Sequence, residues 1–113
     1  MITESLVCIA VAVYFEARGE PSEGQLAVAQ VVRNRVVSED YPDEACEVVK
    51  QGYYWAGNPI RDMCQFSFWC DGRSDRPTNQ QQFWNALYVA WLSGQQPDTT
   101  ALRCTPSGRT QAP

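Results

Sequence analysis

The corner Tyr14-Phe15-Glu16-Ala17-Arg18-Gly19-Glu20-Pro21-Ser22-Glu23-Gly24-Gln25 constrains this chain more than any other segment, because one apolar helix must stop there and another must start at once. Before it, Leu6, Val7, Ile9, Ala10, Val13, Tyr14 and Ala17 recur at three- and four-residue steps, and Gly19 and Pro21 forbid continuation. Glu16 then falls in the last helical turn. The negative end of the helix macrodipole and the neighbours Tyr14 and Phe15 disfavour its ionised form, which is what a general acid working near neutral pH requires. The plainer alternative is a solvated helix-end glutamate bonded to Arg18 or to a backbone amide. Ser22 with Gln25 predicts a capping box, with Glu23 in the first turn, for a second helix through Leu26, Val28, Ala29, Val32, Arg33 and Val36.

Composition narrows the chemistry. The 113 residues include four Trp, five Tyr and four Phe, and 44% are apolar, which suits one globular unit with a modest core. A formal charge of −4 and a sequence pI near 4.6, without a basic run, argue against nucleic acid as partner. There is no His, and the five Cys form no C-x-x-C pair, so neither a metal nor a cofactor is expected. No run is apolar enough to span a membrane. Glu4 stands where a signal peptide needs positive charge, and cleavage after Ala10 or Ala12 would remove most of the helix leading to Glu16, so the chain as given reads as lacking its own export signal.

A second lobe begins after a loop at Ser38-Glu39-Asp40-Tyr41-Pro42 and a short helix, capped by Asp43, through Cys46, Val48 and Val49 to Gly52. Tyr53-Tyr54-Trp55-Ala56-Gly57-Asn58-Pro59 is aromatic and turn-rich, and too near Pro59 for a central strand. Sugars stack their apolar ring faces on flat aromatic surfaces, which makes Tyr53, Tyr54 and Trp55 candidate cleft walls; core filling under a loop is the competing reading. Cys64 to Cys70 alternates like a strand, with Cys64, Phe66, Phe68 and Cys70 on one face and Gln65, Ser67 and Trp69 on the other. Gln65 and Ser67 are candidate substrate-binding groups, before a turn at Asp71-Gly72 in which Ser67 and Asp71 could instead serve local backbone. If this run is straight, about 3.3 Å per residue holds Cys64 and Cys70 roughly 20 Å apart, and disulfides bridge Cα atoms only about 4.4 to 6.8 Å apart. One of the two is then expected to pair with Cys46, leaving Cys8 as a buried free thiol, unless all five are reduced. Thr78 with Gln81 predicts a further capping box, and the stripe Phe83, Trp84, Leu87, Tyr88, Trp91, Leu92, ending at Gly94, reads as core.

Taken in order, these motifs resemble the cell-wall hydrolase family of spore-cortex-lytic enzymes and related phage endolysins. The resemblance is carried by Glu16-Ala17-Arg18-Gly19-Glu20, by Gly24 to Val36, by Cys46-Glu47-Val48-Val49, by Cys64-Gln65-Phe66-Ser67-Phe68, by Asp71-Gly72, and by Ala86, Ala90, Leu92 and Gly94. It implies an α+β, lysozyme-like fold with a mainly helical lobe and a small aromatic-rich β/loop lobe, a peptidoglycan glycan strand as substrate, Glu16 as the catalytic glutamate and a cleft position for Gln65. Residues 1–113 are then a single catalytic domain with a compact core over about 4–100. After Asp98-Thr99-Thr100 the expected Gly-Ala-x-x-aromatic segment is replaced by Ala101-Leu102-Arg103-Cys104-Thr105-Pro106, so 101–113 reads as a divergent, loose tail.

The expected reaction is cleavage of the β-1,4 bond between N-acetylmuramic acid and N-acetylglucosamine by a monomer that needs no membrane insertion. Glu16 alone suffices for a lytic transglycosylase, the favoured reading, whereas a two-carboxylate muramidase needs a partner, for which Glu20 is nearest in sequence. A non-catalytic peptidoglycan-binding module and a cysteine-stapled interaction protein are the alternatives from other classes. Without an export signal, a phage endolysin made in the host cytoplasm and released at lysis is the expected setting.

Overall fold

The structure, a computed structural model, describes residues 2–74 and 76–95. Within them lie four α-helices, α1 (Glu4–Ala17), α2 (Ser22–Val37), α3 (Ala45–Val49) and α4 (Gln80–Gln95). A two-stranded antiparallel hairpin, β1 (Gly52–Trp55) with β2 (Asn58–Cys64), and a 3₁₀ turn at Ser67–Cys70 complete an α+β architecture. The calls made on Asp98 to Pro113 lie outside the described residues.

Helix α1 is the hub. It opens on Thr3, whose hydroxyl accepts the Leu6 N–H at 3.1 Å, and its Ile9, Ala10, Ala12, Val13, Tyr14 and Ala17 are all buried. That set exceeds one face because α2, α3 and α4 each pack against it. The corner after it closes when the Glu20 N–H donates to the Ala17 carbonyl at 3.0 Å. The expected Ser22/Gln25 capping box does not form. Pro21, extended at ψ 165°, takes the cap position and Ser22 is already helical, so the Gln25 amide instead turns back and donates to the carbonyls of Glu20 (3.1 Å) and Arg18 (3.4 Å). One side chain of α2 thus ties down the backbone of the turn.

The other expected caps also move. Glu44, not Asp43, precedes α3, with no side-chain bond to it. At α4, Asn79 does what was expected of Thr78: its Oδ1 accepts the Gln82 N–H at 3.0 Å. The apolar stripe of α4 is rotated relative to expectation. Ala86, Leu87, Val89, Ala90 and Ser93 are buried, whereas Trp84 and Tyr88 stay 60% and 61% exposed and Trp91 46%. Nearly every residue from Phe83 to Leu92 is apolar, so periodicity leaves the inward face open, and close approach of α1 and α2 selects the small residues. Arg33 of α2 locks the far end of α4, donating from Nε to the Ser93 hydroxyl (2.6 Å) and from Nη2 to the Ala90 carbonyl (2.9 Å).

Tyr53 to Pro59, expected to be irregular, is a hairpin. Ala56 (φ 53°) and Gly57 (φ 83°) both take the left-handed conformation that a two-residue turn of the primed kind requires. Pro59 is accommodated because a two-stranded sheet consists of edges, and it sits opposite Tyr54. The register then slips before Gly52 meets Cys64, with Asp62 at φ 65° inside the irregular stretch. Gly52 is required there: a Cβ would come within 2.7 Å of the Met63 carbonyl and 2.8 Å of the Cys64 Cα.

The cysteine expectations are overturned. Cys8 is not free but bonded to Cys46, with Cα atoms 5.1 Å apart, joining α1 to α3. Cys64 pairs with Cys70, Cα to Cα 6.1 Å, so the run between them is bent rather than extended. The strand ends at Cys64, and a 3₁₀ turn brings Phe66 and Phe68 to the core in two successive bites.

The α4 packing yields a stability test. Ala90 has no accessible surface, so Ala90→Leu overpacks the α1–α4 seam and costs about 1–3 kcal/mol, read as a lower thermal midpoint. Trp84→Gln, on the open side of the helix, shows a clearly smaller loss in the same melt; the reverse order would restore the aromatic stripe as core.

Candidate active site

The site is built where the last turn of α1 meets the turn at Ser67–Cys70. Phe15 stacks on Phe68 with ring centroids 5.0 Å apart and planes 11° from parallel. Phe68 is thereby set beside the last turn of α1, where its backbone N–H favours the charged form of the Glu16 carboxyl. The residue as a whole is open to solvent, yet its carboxyl is partly withdrawn from water, and this desolvation holds its pKa above the ordinary glutamate range while the Phe68 N–H pulls the other way. A carboxyl that is accessible, desolvated on one side and aimed by one amide is equipped to deliver a proton to a substrate in the open side.

Behind Glu16, Tyr14 joins α1 to the start of α4. Its ring is 1% exposed, and its hydroxyl accepts the Asn79 N–H at 3.0 Å and an Nη1–H of Arg18, and bonds Thr78. Burial raises the phenol pKa, but the donors from Asn79, Thr78 and Arg18 prevail and lower it. The Arg18 guanidinium lies 4.6 Å from the centre of the same ring. Tyr14 was expected to act on Glu16 as an aromatic neighbour and Arg18 as its bonding partner; instead the two bond each other, as their four-residue spacing on one helix face allows.

The other expected site residues are distributed unevenly. The Glu20 side chain lies over the first turn of α2, where its Cβ comes within 3.1 Å of the Cβ position that Gly24 leaves vacant. Tyr54 donates its hydroxyl to the Lys50 carbonyl and accepts the Trp69 indole N–H at 2.8 Å, so it is a strut between hairpin and turn. Lys50 covers the Trp69 ring at 5.1 Å. Tyr53 and Trp55, 67% and 78% exposed, alternate with Tyr54 and are free to offer flat surfaces. Gln65 and Ser67 are exposed on the loop that carries Phe68. The sequence reading missed Phe68 as a contributor, since it acts through its backbone; two cysteines six residues apart around it were the signal for a closed loop.

A cleft of about 430 Å³ lies near the opposite end of α1, lined by Ser5, Ile9, Gln30, Arg33, Asp43 and Ser93 among others. Two of its polar side chains serve the fold: Gln30 donates to the Ser93 carbonyl at 3.2 Å and Arg33 caps α4.

The model of the Cell Wall Hydrolase family matches residues 19–104. That match starts three residues beyond Glu16, so the role of Glu16 rests on the site itself. Spore cortex-lytic enzymes are similar over shorter stretches: that of Oceanobacillus iheyensis is 58% identical over 38 residues, which is 34% of this chain and 14% of that protein. Those of Bacillus subtilis and Halalkalibacterium halodurans are 51% and 54% identical over 41 residues, 36% of this chain and 13% and 12% of theirs. The matched stretch is thus a small part of each relative's length. No solved structure matches the chain. With the family match covering well over half of its residues, the chain belongs to the cell wall hydrolase family.

Proposed function

We propose that this chain cleaves the glycan strand of bacterial peptidoglycan at the β-1,4 bond between N-acetylmuramic acid and N-acetylglucosamine, with Glu16 as proton donor. The observation that carries the reading is Glu16 itself, exposed at the end of α1 beside the Phe15–Phe68 stack, with its pKa raised by partial burial of the carboxyl. The fold implied is lysozyme-like, with residues 1–113 as one catalytic domain acting as a monomer, and the exposed Tyr53, Trp55, Gln65 and Ser67 lining the sugar path. Tyr54 contributes to that wall through its ring while its hydroxyl holds Trp69.

The reaction is a lytic transglycosylation. Glu16 gives its proton to the leaving glycosidic oxygen; as a carboxylate it then takes the proton of the muramic C6 hydroxyl, whose oxygen closes on C1 to leave a 1,6-anhydro end. One carboxyl serves both steps. A two-carboxylate muramidase would instead need a second carboxylate at a set distance of about 5 to 9.5 Å across the bond, and Glu20, packed on Gly24 at the first turn of α2, is the candidate for it. A phage endolysin released at host lysis is the setting that suits such an activity.

Four outcomes are expected. Glu16→Gln lowers turbidity loss of permeabilised cells by about 10²- to 10⁴-fold with unchanged circular dichroism. Glu20→Gln falls much less, and 1,6-anhydro products appear in the mass spectrum of digested peptidoglycan; equal losses and hydrated reducing ends identify the muramidase instead. Because the pKa of Glu16 is raised on folding, ionising it costs stability, a cost incurred as pH rises through the window between the unfolded and the folded value. Glu16→Gln is accordingly more stable than wild type near neutral pH, and the difference vanishes below the unfolded glutamate pKa. Finally, a proton transfer between carboxyl and sugar calls for no metal, so activity persists in a strong chelator; loss that a divalent ion restores would refute it.

A further inference from the structure

We propose that the Cys64–Cys70 disulfide positions the general acid, by closing the loop that lays the Phe68 backbone against Glu16, and that opening this one bond turns the enzyme down. The inference rests on the reading of Glu16 as proton donor. Three placements carry it. Cys64 is fixed by the hairpin, paired opposite Gly52, whose missing side chain lets the two backbones touch. Cys70 is buried at the end of the 3₁₀ turn, whose first closing bond runs from the Trp69 N–H to the Phe66 carbonyl at 3.0 Å. Between the two sulfurs lies only the segment that supplies the Phe68 ring to Phe15 and the Phe68 N–H to Glu16. The bond therefore transmits the rigidity of the hairpin to the amide that aims the catalytic carboxyl.

The two disulfides have separable roles. A crosslink stabilises a fold mainly by restricting the unfolded chain, and more so for a longer loop. Cys8–Cys46 spans 38 residues and joins α1 to α3 well away from the site, whereas Cys64–Cys70 spans six. The short bond gains less from that effect, and its place in the fold is at Glu16. A dithiol reductant opens it by exchange: the S–S bond breaks, two electrons and two protons convert it to two thiols, and the reductant's sulfurs close into their own disulfide. Such a chain is weak in a reducing compartment and gains activity in an oxidising one.

The test uses the full chain in a Cys104→Ser background, with Cys64→Ser/Cys70→Ser compared with Cys8→Ser/Cys46→Ser on purified peptidoglycan across pH. Removing the short bond lowers the rate by about 10- to 100-fold with unchanged circular dichroism. The alkaline limb of the residual activity moves from its wild-type position, because both the packing and the amide beside Glu16 change; a purely structural role would leave that limb in place. Removing the long bond lowers the thermal midpoint and leaves rate and limb unaltered. Dithiothreitol applied to Cys8→Ser/Cys46→Ser, with the freed thiols counted by alkylation, reproduces the loss, and reoxidation restores it; this arm decides if the Cys64→Ser/Cys70→Ser protein does not fold. Full rate with an unmoved limb once the short bond is open overturns the inference. An active Glu16→Gln instead overturns the underlying role of Glu16.

Discussion

Helix α1 must be covered on three sides and left open at one end, and the rest of the molecule follows from that demand. Its apolar residues wrap most of the helix surface, so α2, α3 and α4 all pack against it. Glu16, in the last turn, and Arg18 just after it are exposed, as are Glu4 and Ser5 at the helix start. Six of the eighteen buried apolar residues among the described ones belong to this helix, and burial of that kind is the main favourable term in folding. Its open end is therefore a rigid pedestal rather than a fraying terminus. Tyr14 strengthens it: a buried phenol carrying donors from Arg18, Asn79 and Thr78 couples the helix end to the start of α4.

The corner was the most legible part of the chain, because its signals are local. Gly19 and Pro21 stop a helix whatever surrounds them, and Glu16 lies in the turn they end. What failed were judgements that depend on context. A capping box is only an opportunity, and Pro21 pre-empted it at α2 as Asn79 did at α4. The stripe on α4 was misassigned because a helix apolar nearly all round does not announce its inward side; its neighbours chose Ala86, Ala90 and Ser93. The run from Cys64 to Cys70 shows how a 3₁₀ turn mimics a strand, since Phe66 and Phe68 reach the core by curling rather than by alternating.

In the candidate site, the position of Glu16 at a helix end was legible and its surroundings were not. A glutamate at a helix end near aromatics can be read from one sequence, but an amide hydrogen cannot, and Phe68 offers one. Family membership locates the chain among cell wall hydrolases without reaching Glu16, since the matched residues begin at Gly19.

The outward aromatics of the molecule have a spectroscopic consequence. Of its four tryptophans, Trp55, Trp84 and Trp91 already face solvent in the native state, and Trp69 is half-buried beneath Lys50. Native emission is then water-like in colour, and unfolding shifts it little. Only the Trp69 indole, held by Tyr54 on the loop beside Glu16, changes surroundings when that loop moves. Intrinsic fluorescence in this protein is a poor thermometer of the fold and a local reporter of the loop.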